Sequence, residues 1–185
     1  MKSKKNINIV VALLVAFVLI FLNGVYPFSY FSVSQSVNYK PNKELAQDYQ
    51  DSIEQLKILS SSGSTSNFVE SRTEFILNKF NQNLFIDPGG TKIKRVELEQ
   101  LITDVREIRN LLIDLAFREE YSELGDSFLQ NAILHSLSLE VNISNINTKR
   151  FLSKKEIEIL LHNLQVEFNS TLNLYKSFYE EYKSI

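Results

Sequence analysis

The chain has no cysteine and no tryptophan, and its 185 residues include only five glycines and three prolines. The absence of cysteine excludes disulfides, thiolate metal ligands, a cysteine nucleophile and a lipid-modified cysteine. Glycine and proline interrupt regular structure, so their scarcity favours long helices over a many-stranded sheet.

Side chains suited to catalysis or metal binding are also few. His135 and His162 are the only histidines. Metal-binding helical bundles carry a Glu three residues before the histidine, and neither histidine has an acidic residue at that position. Gly89-Gly90-Thr91-Lys92 lacks the spacing of a phosphate-binding loop, and no Gly-x-Ser-x-Gly motif is present. We therefore expect core or half-buried histidines, no metal, no cofactor and no enzymatic activity.

The most specific pattern is at the start of the chain. Lys2, Lys4 and Lys5 precede an uncharged, almost wholly apolar run over residues 7–22, and an aromatic segment extends it to Phe31. A membrane-spanning helix needs about 20 mostly apolar residues, and aromatic side chains favour the headgroup level. The sequence predicts a cytoplasmic stub and transmembrane signal anchor over residues 1–31. The side chains expected at headgroup level are Tyr26, Phe28, Tyr30 and Phe31.

A cleaved signal peptide is the alternative interpretation of this segment. It requires small residues soon after the apolar run, whereas the chain continues Asn23-Gly24-Val25-Tyr26-Pro27. An uncleaved anchor fits this flank better. Positive charge stays on the cytoplasmic side, so we expect a single-pass protein of the cell membrane with a cytoplasmic N-terminus and an extracytoplasmic C-terminal domain.

The charge of the remaining chain limits the classes of partner that it is expected to bind. Three of the 20 basic residues precede the apolar run, whereas none of the 22 acidic residues lies before residue 32, so the rest of the chain carries a formal charge of −5. Nucleic-acid binding requires a basic face and is not expected. An exported domain without disulfides favours a bacterial protein.

Helical periodicity dominates the chain after a polar tether at residues 32–42. Apolar residues recur every three or four positions in a helix capped by Asn42 and ending at Leu59, before a Ser-rich loop. A second helix begins at Asn67 with Glu70 as a capping partner and buries Phe68, Val69, Phe75, Ile76, Phe80 and Leu84. The turn Asp87-Pro88-Gly89-Gly90 predicts a small hairpin near residues 84–93.

The remaining segments predict long helices. A heptad seam runs from Leu98 to Leu115 in a helix from about Val96 to Tyr121. Gly125 and Asp126 suggest a helix end and a restart, although residues 95–146 could also form one helix. The next predicted helix, from Ser127 to about Ile146, has a wide apolar face. A last helix is capped by Ser153 and Glu156 and continues nearly to the C-terminus. Residues 43–185 therefore predict an all-α fold, an antiparallel bundle of four to five helices.

Alternating helix directions would separate the charges of this bundle. Basic residues would then collect at the end near the membrane, and the acidic residues Glu119, Glu120, Glu123 and Asp126 at the far end. Basic side chains bind anionic headgroups, although the same pattern also fits ordinary solvated loops. The residues predicted to contact the membrane surface are Lys92, Lys94, Arg95, Lys149, Arg150, Lys154 and Lys155.

Binding of another protein is the function that these features favour. Tyr179 lies off the apolar seam of the last helix, so we expect it to be exposed and to contact a partner. The sequence predicts an interaction, scaffold or accessory module of the cell envelope, with an unidentified protein partner or self-association through a heptad face. The alternative is a small-ligand sensor bundle that signals through a separate partner.

Overall fold

The computed structural model describes residues 2–32, 34–61 and 68–184, with side chains described from residue 9 onward. These parts form seven helices and one two-stranded sheet. In chain order the elements are α1 (Lys2–Val25), β1 (Ser36–Tyr39), α2 (Lys43–Ser61), α3 (Phe68–Phe80), α4 (Asn83–Ile86), β2 (Thr91–Lys94), α5 (Arg95–Arg118), α6 (Glu123–Thr148) and α7 (Lys154–Ser184). The predicted all-α class is therefore confirmed, with a small sheet added.

Helix α1 differs from the other helices in the number of apolar side chains that it exposes. Its large exposed apolar residues are Ile9, Val10, Val11, Leu13, Leu14, Val15, Phe17, Val18, Leu19, Ile20 and Phe21. The helix ends at Val25, and the Tyr26 amide donates to the Leu22 carbonyl at 2.9 Å. Among the described residues, no helix has both the length and the hydropathy that a membrane crossing demands.

Helices α2 and α3 begin the bundle as the periodicity predicts. The Asn42 side chain caps α2 by accepting from the Leu45 amide at 3.1 Å, and α2 continues past the predicted end to Ser61. The predicted cap at Asn67 lies outside the described residues. Phe75 of α3 is 57% exposed, so its predicted burial is wrong.

The predicted hairpin near residues 84–93 is also wrong. Residues 83–86 form the short helix α4, which buries Phe85, and β2 pairs antiparallel with β1, so that Val37 lies opposite Ile93. The segment interpreted as a polar tether therefore supplies a strand and two core side chains, Val37 and Tyr39. The Asp87 turn does form, with Gly90 at a φ of 89°, a conformation that glycine adopts without steric cost.

A break separates α5 from α6, but it precedes the predicted position. Helix α5 ends at Arg118, and Ser122 caps α6 by accepting from the Gly125 amide at 3.0 Å. Gly125 is buried inside the first turn of α6, where an added Cβ would lie 3.6 Å from the Glu181 side chain. Gly125 therefore lies inside α6, near the end of α7, rather than ending α5.

Successive long helices of the bundle run in opposite directions. Two pairs across each interface show these directions: Arg72 with Asp114 and Lys79 with Asp104 for α3 and α5, and Ser122 with Glu181 and Asn142 with Glu167 for α6 and α7. Helix α2 lies beside α7 and parallel to it, because Asn42 at its start bonds to Gln165 and Ser52, farther along, bonds to Asn173. One end of the bundle, the basal end, holds the sheet, α4 and residues 149–153. The other, the distal end, holds residues 119–122 and the end of α7.

The core follows the predicted heptad seams. The α5 seam from Leu98 to Leu115 is buried, and so is the α7 seam from Ile157 to Phe178. The capping box of α7 is present, since the Ser153 amide donates to the Glu156 carboxylate at 2.7 Å. Helix α6 buries less than predicted: Leu137 and Val141 are about half exposed, at 47% and 51%.

Candidate functional site

The basal end brings together the two predicted basic clusters. Lys92 and Lys94 lie on β2, Arg95 opens α5, Lys149 follows α6, and the others surround the start of α7. The exposed members are Lys92, Lys94, Lys149, Lys154 and Lys155, whereas Arg150 is half-buried. Chain segments far apart in sequence thus form one basic surface.

Arg95 has a different role from the six other predicted contact residues. It is 9% exposed, and its Nη1 donates to the Phe28 carbonyl at 3.2 Å. Burial, followed by the charge of Arg150, lowers the pKa of the Arg95 guanidinium. Because this side chain is bound inside the protein, it does not belong to the exposed basic surface.

The segment that follows α1 is fixed to the basal end. Phe28 is completely buried in the core, so its predicted position at headgroup level is wrong. The Tyr26 and Phe151 rings meet edge to face with their centroids 6.2 Å apart, and the Arg150 guanidinium lies 4.6 Å from the centre of the Tyr30 ring. We call residues 26–32 the joint, because they connect α1 to the bundle through packed side chains.

A hydrogen bond within this region connects the joint to α1 itself. The Ser32 hydroxyl donates to the Asn23 amide oxygen at 2.9 Å, which holds the last turn of α1 against the joint. Tyr30 and Phe31 remain 69% and 51% exposed. The direction in which α1 leaves the bundle is therefore set by specific contacts rather than by a flexible linker.

A polar cleft opens beside this connection. It has a volume of about 260 Å3 and lies between the end of α1, residues 34–38, β2 and the start of α7. Its lining residues are Asn23, Gly24, Pro27, Ser34, Ser36, Val37, Asn38, Lys92 and Lys154. Lys154 has one weak ionic contact outside the cleft, with Glu158 at 3.8 Å. The described lining contains no carboxylate, so the cleft carries positive charge.

The distal end carries the opposite charge. Glu119, Glu120 and Glu123 are exposed there, and Asp126 is half-buried. Phe117 projects beside them with 86% of its surface exposed. The bundle is therefore basic at the end next to α1 and acidic at the other.

Tyr179 does not lie where the sequence predicts. Its side chain is completely buried, and the Lys183 ammonium lies 5.7 Å from the centre of its ring. Burial raises the pKa of Tyr179. The predicted exposure is wrong, because α7 is covered on more than its seam, and the ring offers no surface to a partner.

A groove of about 460 Å3 runs between α3 and α5. Phe75 and Leu111 supply its apolar surface. Two ion pairs border it: Arg72 with Asp114 at 3.1 Å, and Lys79 with Glu107 at 2.7 Å. Each cation in the groove is thus matched by a carboxylate.

The described residues contain no cluster of His, Cys, Asp or Glu side chains that could hold a metal ion. His135 and His162 are both exposed, so their predicted burial is wrong. Each lies on the solvent side of its helix, although apolar neighbours in the sequence favoured the core.

Comparison with protein-family models, curated proteins and solved structures finds no match to this chain.

The sequence predicts the basic residues but not the joint or the cleft. Both depend on contacts between distant segments, such as Arg95 with Phe28. One usable signal was present: Phe28 and Val37 are apolar residues inside a segment interpreted as interfacial or polar, and apolar side chains of this size are usually buried.

Proposed function

We propose that this protein is a membrane-anchored, extracytoplasmic helical bundle that acts as a protein-interaction or accessory module of the cell envelope. The observation that carries the anchoring is the row of exposed apolar side chains on α1, from Ile9 to Phe21. A continuous apolar surface of this kind is unfavourable in water and marks a contact with lipid or protein. The lysines before the run favour a cytoplasmic N-terminus.

The basal end supports the same orientation. If α1 enters the bilayer, the joint keeps the exposed lysines next to the headgroups. Each basic side chain near an anionic leaflet contributes about 1 kcal/mol to membrane attraction. The acidic distal end then points away from the membrane and toward other envelope components.

The surface proposed for a protein partner lies on α6. Leu134, Leu137 and Val141 are spaced three and four residues apart and are 62%, 47% and 51% exposed. This spacing places them on one side of the helix. An exposed apolar stripe on a helix is a common contact for a second helix.

Labelling of single cysteines tests the orientation, because the natural chain has none. Lys4→Cys reports the N-terminus and Glu120→Cys the distal end of the bundle. In intact cells expressing the full chain, a membrane-impermeant maleimide should label Glu120→Cys only, and Lys4→Cys should react after the membrane is opened. Labelling of Lys4→Cys alone in intact cells would contradict the proposed orientation and indicate the opposite one.

Affinity purification of the full chain from detergent-solubilised membranes tests the interaction. Leu137→Glu places a charge in the α6 stripe, and Ile58→Glu is the matched control on α2, where Ile58 is 68% exposed. A stoichiometric partner, or a second copy of the chain, should be lost with Leu137→Glu and retained with Ile58→Glu. A monomer without a partner in both variants and in the wild type would contradict the proposal.

Small-ligand sensing is the second candidate function, and the groove between α3 and α5 is the observation that favours it. Phe75 is exposed inside this groove, as in pockets that hold a partly apolar ligand. A metabolite that raises the unfolding temperature of the wild type but not of Phe75→Ala would support sensing over protein binding.

A further inference from the structure

From the geometry of the basal cleft, we infer that it binds the phosphate of an anionic phospholipid. This inference rests on the proposed function, because it takes the lipid from the membrane that α1 enters. It goes further than general attraction to a charged surface, since it assigns one lipid headgroup to one site built from particular residues.

The cleft has the chemistry that a phosphate requires. Lys92 and Lys154 reach it from β2 and α7, and lysine ammonium groups bind phosphate oxygens through short, charge-assisted hydrogen bonds. Asn38 lies opposite Lys92 in the sheet register, and Ser34 and Ser36 add hydroxyl groups. No described lining residue is acidic, so nothing in that lining repels an anion.

The size of the cleft fits a phosphate ester better than a single water molecule. Its volume of about 260 Å3 is several times the roughly 30 Å3 that one water occupies in the liquid. The cleft therefore has room for a phosphate group.

The position of the cleft indicates a lipid as the source of the phosphate. Asn23 and Gly24, in the last turn of α1, form one wall, and the apolar run ends directly before them at Leu22. If the run lies in the hydrocarbon region, this wall lies at the headgroup level. The hydrogen bond from Ser32 to Asn23 keeps that wall against the rest of the cleft.

The test measures binding of short-chain lipids to the full chain in neutral detergent micelles. The probes are dihexanoyl phosphatidylglycerol, dihexanoyl phosphatidylcholine and inorganic phosphate. We expect saturable binding of phosphatidylglycerol, with weaker binding of the other two. Inorganic phosphate that binds as tightly as phosphatidylglycerol would overturn the assignment to a lipid, and the absence of saturable binding would overturn the site.

Matched charge variants distinguish binding in the cleft from nonspecific attraction of the lipid to the basic end of the bundle. Lys92→Gln and Lys154→Gln should each weaken phosphatidylglycerol binding about tenfold, because each removes one charged hydrogen bond. Lys149→Gln and Lys155→Gln remove the same charge at the same end but outside the cleft, and should change binding less than about twofold. Equal losses in all four variants would contradict a built site, provided that circular dichroism shows each variant folded.

The result can be distinguished from failure of the proposed function. Binding in micelles does not depend on the orientation of the chain in a cell, whereas cysteine labelling does. Normal labelling with no lipid binding overturns only the cleft, and lipid binding with reversed labelling overturns only the orientation.

Discussion

At the scale of single residues, Gln165 forms hydrogen bonds with several segments that are distant in sequence. Its amide oxygen accepts from the Tyr39 hydroxyl at 3.0 Å and from the Asn42 amide at 2.9 Å. Its amide nitrogen donates to the carbonyls of Asn42 at 3.1 Å and Phe85 at 3.4 Å. One completely buried side chain therefore connects α7 to β1, α4 and the start of α2.

Replacing this amide should destabilise the protein strongly. Gln165→Leu leaves the buried Tyr39 hydroxyl without its partner, a loss that costs about 1–3 kcal/mol. It also removes the two bonds to the backbone of Asn42, which is an exposed residue. We expect the free energy of unfolding to fall by about 3 kcal/mol in chemical denaturation. Gln130→Leu, at an exposed position of α6, should change it by less than about 0.5 kcal/mol. Equal effects would show that the buried network contributes nothing.

The same network predicts a loss of stability at alkaline pH. Burial raises the pKa of Tyr39 to about 12, above the value of about 10 expected in the unfolded chain. A group whose pKa is raised by folding contributes stability fully below the unfolded pKa, and loses that contribution as the pH rises through the folded pKa. The free energy of unfolding should therefore decrease between about pH 10 and pH 12.

Circular dichroism during denaturation at several alkaline pH values measures this decrease. Burial also raises the pKa of Tyr49 and Tyr175, so the wild type should show a combined slope. Tyr39→Phe should make the slope shallower, because one titrating group is removed. An unchanged slope in Tyr39→Phe would refute the role assigned to this hydroxyl.

At the scale of elements, the joint connects α1 to the bundle and also forms part of the hydrophobic core. Phe28 is completely buried and belongs to the same hydrophobic cluster as Val37 and Leu98. The Phe28 carbonyl also accepts from the Arg95 guanidinium. The end of α1, the sheet and the start of α5 should therefore unfold together rather than independently.

Truncation of the joint tests this coupling. Phe28→Ala removes a buried aromatic ring, a change that typically costs about 3–5 kcal/mol because a cavity remains. We expect a clear decrease in the unfolding temperature of the full chain in detergent. Phe31→Ala is the matched control, since Phe31 is 51% exposed, and it should leave the temperature nearly unchanged. Similar behaviour of the two variants would mean that the joint does not contribute to the fold.

The contrast between helices and strands explains what the sequence could predict. The α5 seam of Leu98, Leu101 and Val105 is repeated locally, so its period identifies both the helix and its buried face. The pairing of β1 with β2 joins residues 36–39 to residues 91–94, and a four-residue strand has no period that could reveal so distant a partner. The cleft depends on this pairing, which is why only its two lysines, Lys92 and Lys154, were predicted.

Helix ends show a similar limit. Gly125 resembles a helix stop in the sequence, yet Ser122 caps α6 and also donates to the Glu181 carboxylate at 2.7 Å. The sequence permits a helix start at either Ser122 or Asp126, and the contact between Ser122 and α7 favours Ser122. Ser122→Ala should lower the free energy of unfolding by about 1 kcal/mol, whereas Ser127→Ala, at an exposed position of α6, should not. Equal stabilities of the two variants would argue against Ser122 as the cap.

At the scale of the whole molecule, alternating helix directions produce the charge separation. The lysines of β2 and of the loop before α7 gather at the basal end because both segments follow helices that run toward it. The acidic residues 119, 120 and 123 follow a helix that runs away from it. This charge separation could be predicted from the sequence, because the separation depends on helix order and loop position rather than on side-chain contacts.

The central claim is that the bundle stands on the membrane with its basal end at the headgroups. Its most direct test is fluorescence quenching in vesicles that contain anionic lipids and a quencher attached to the headgroups. The full chain is reconstituted with a dye on a single cysteine, either Lys149→Cys at the basal end or Glu120→Cys at the distal end. We predict strong quenching at position 149 and little at position 120. Equal quenching at both positions, or stronger quenching at position 120, would contradict the account.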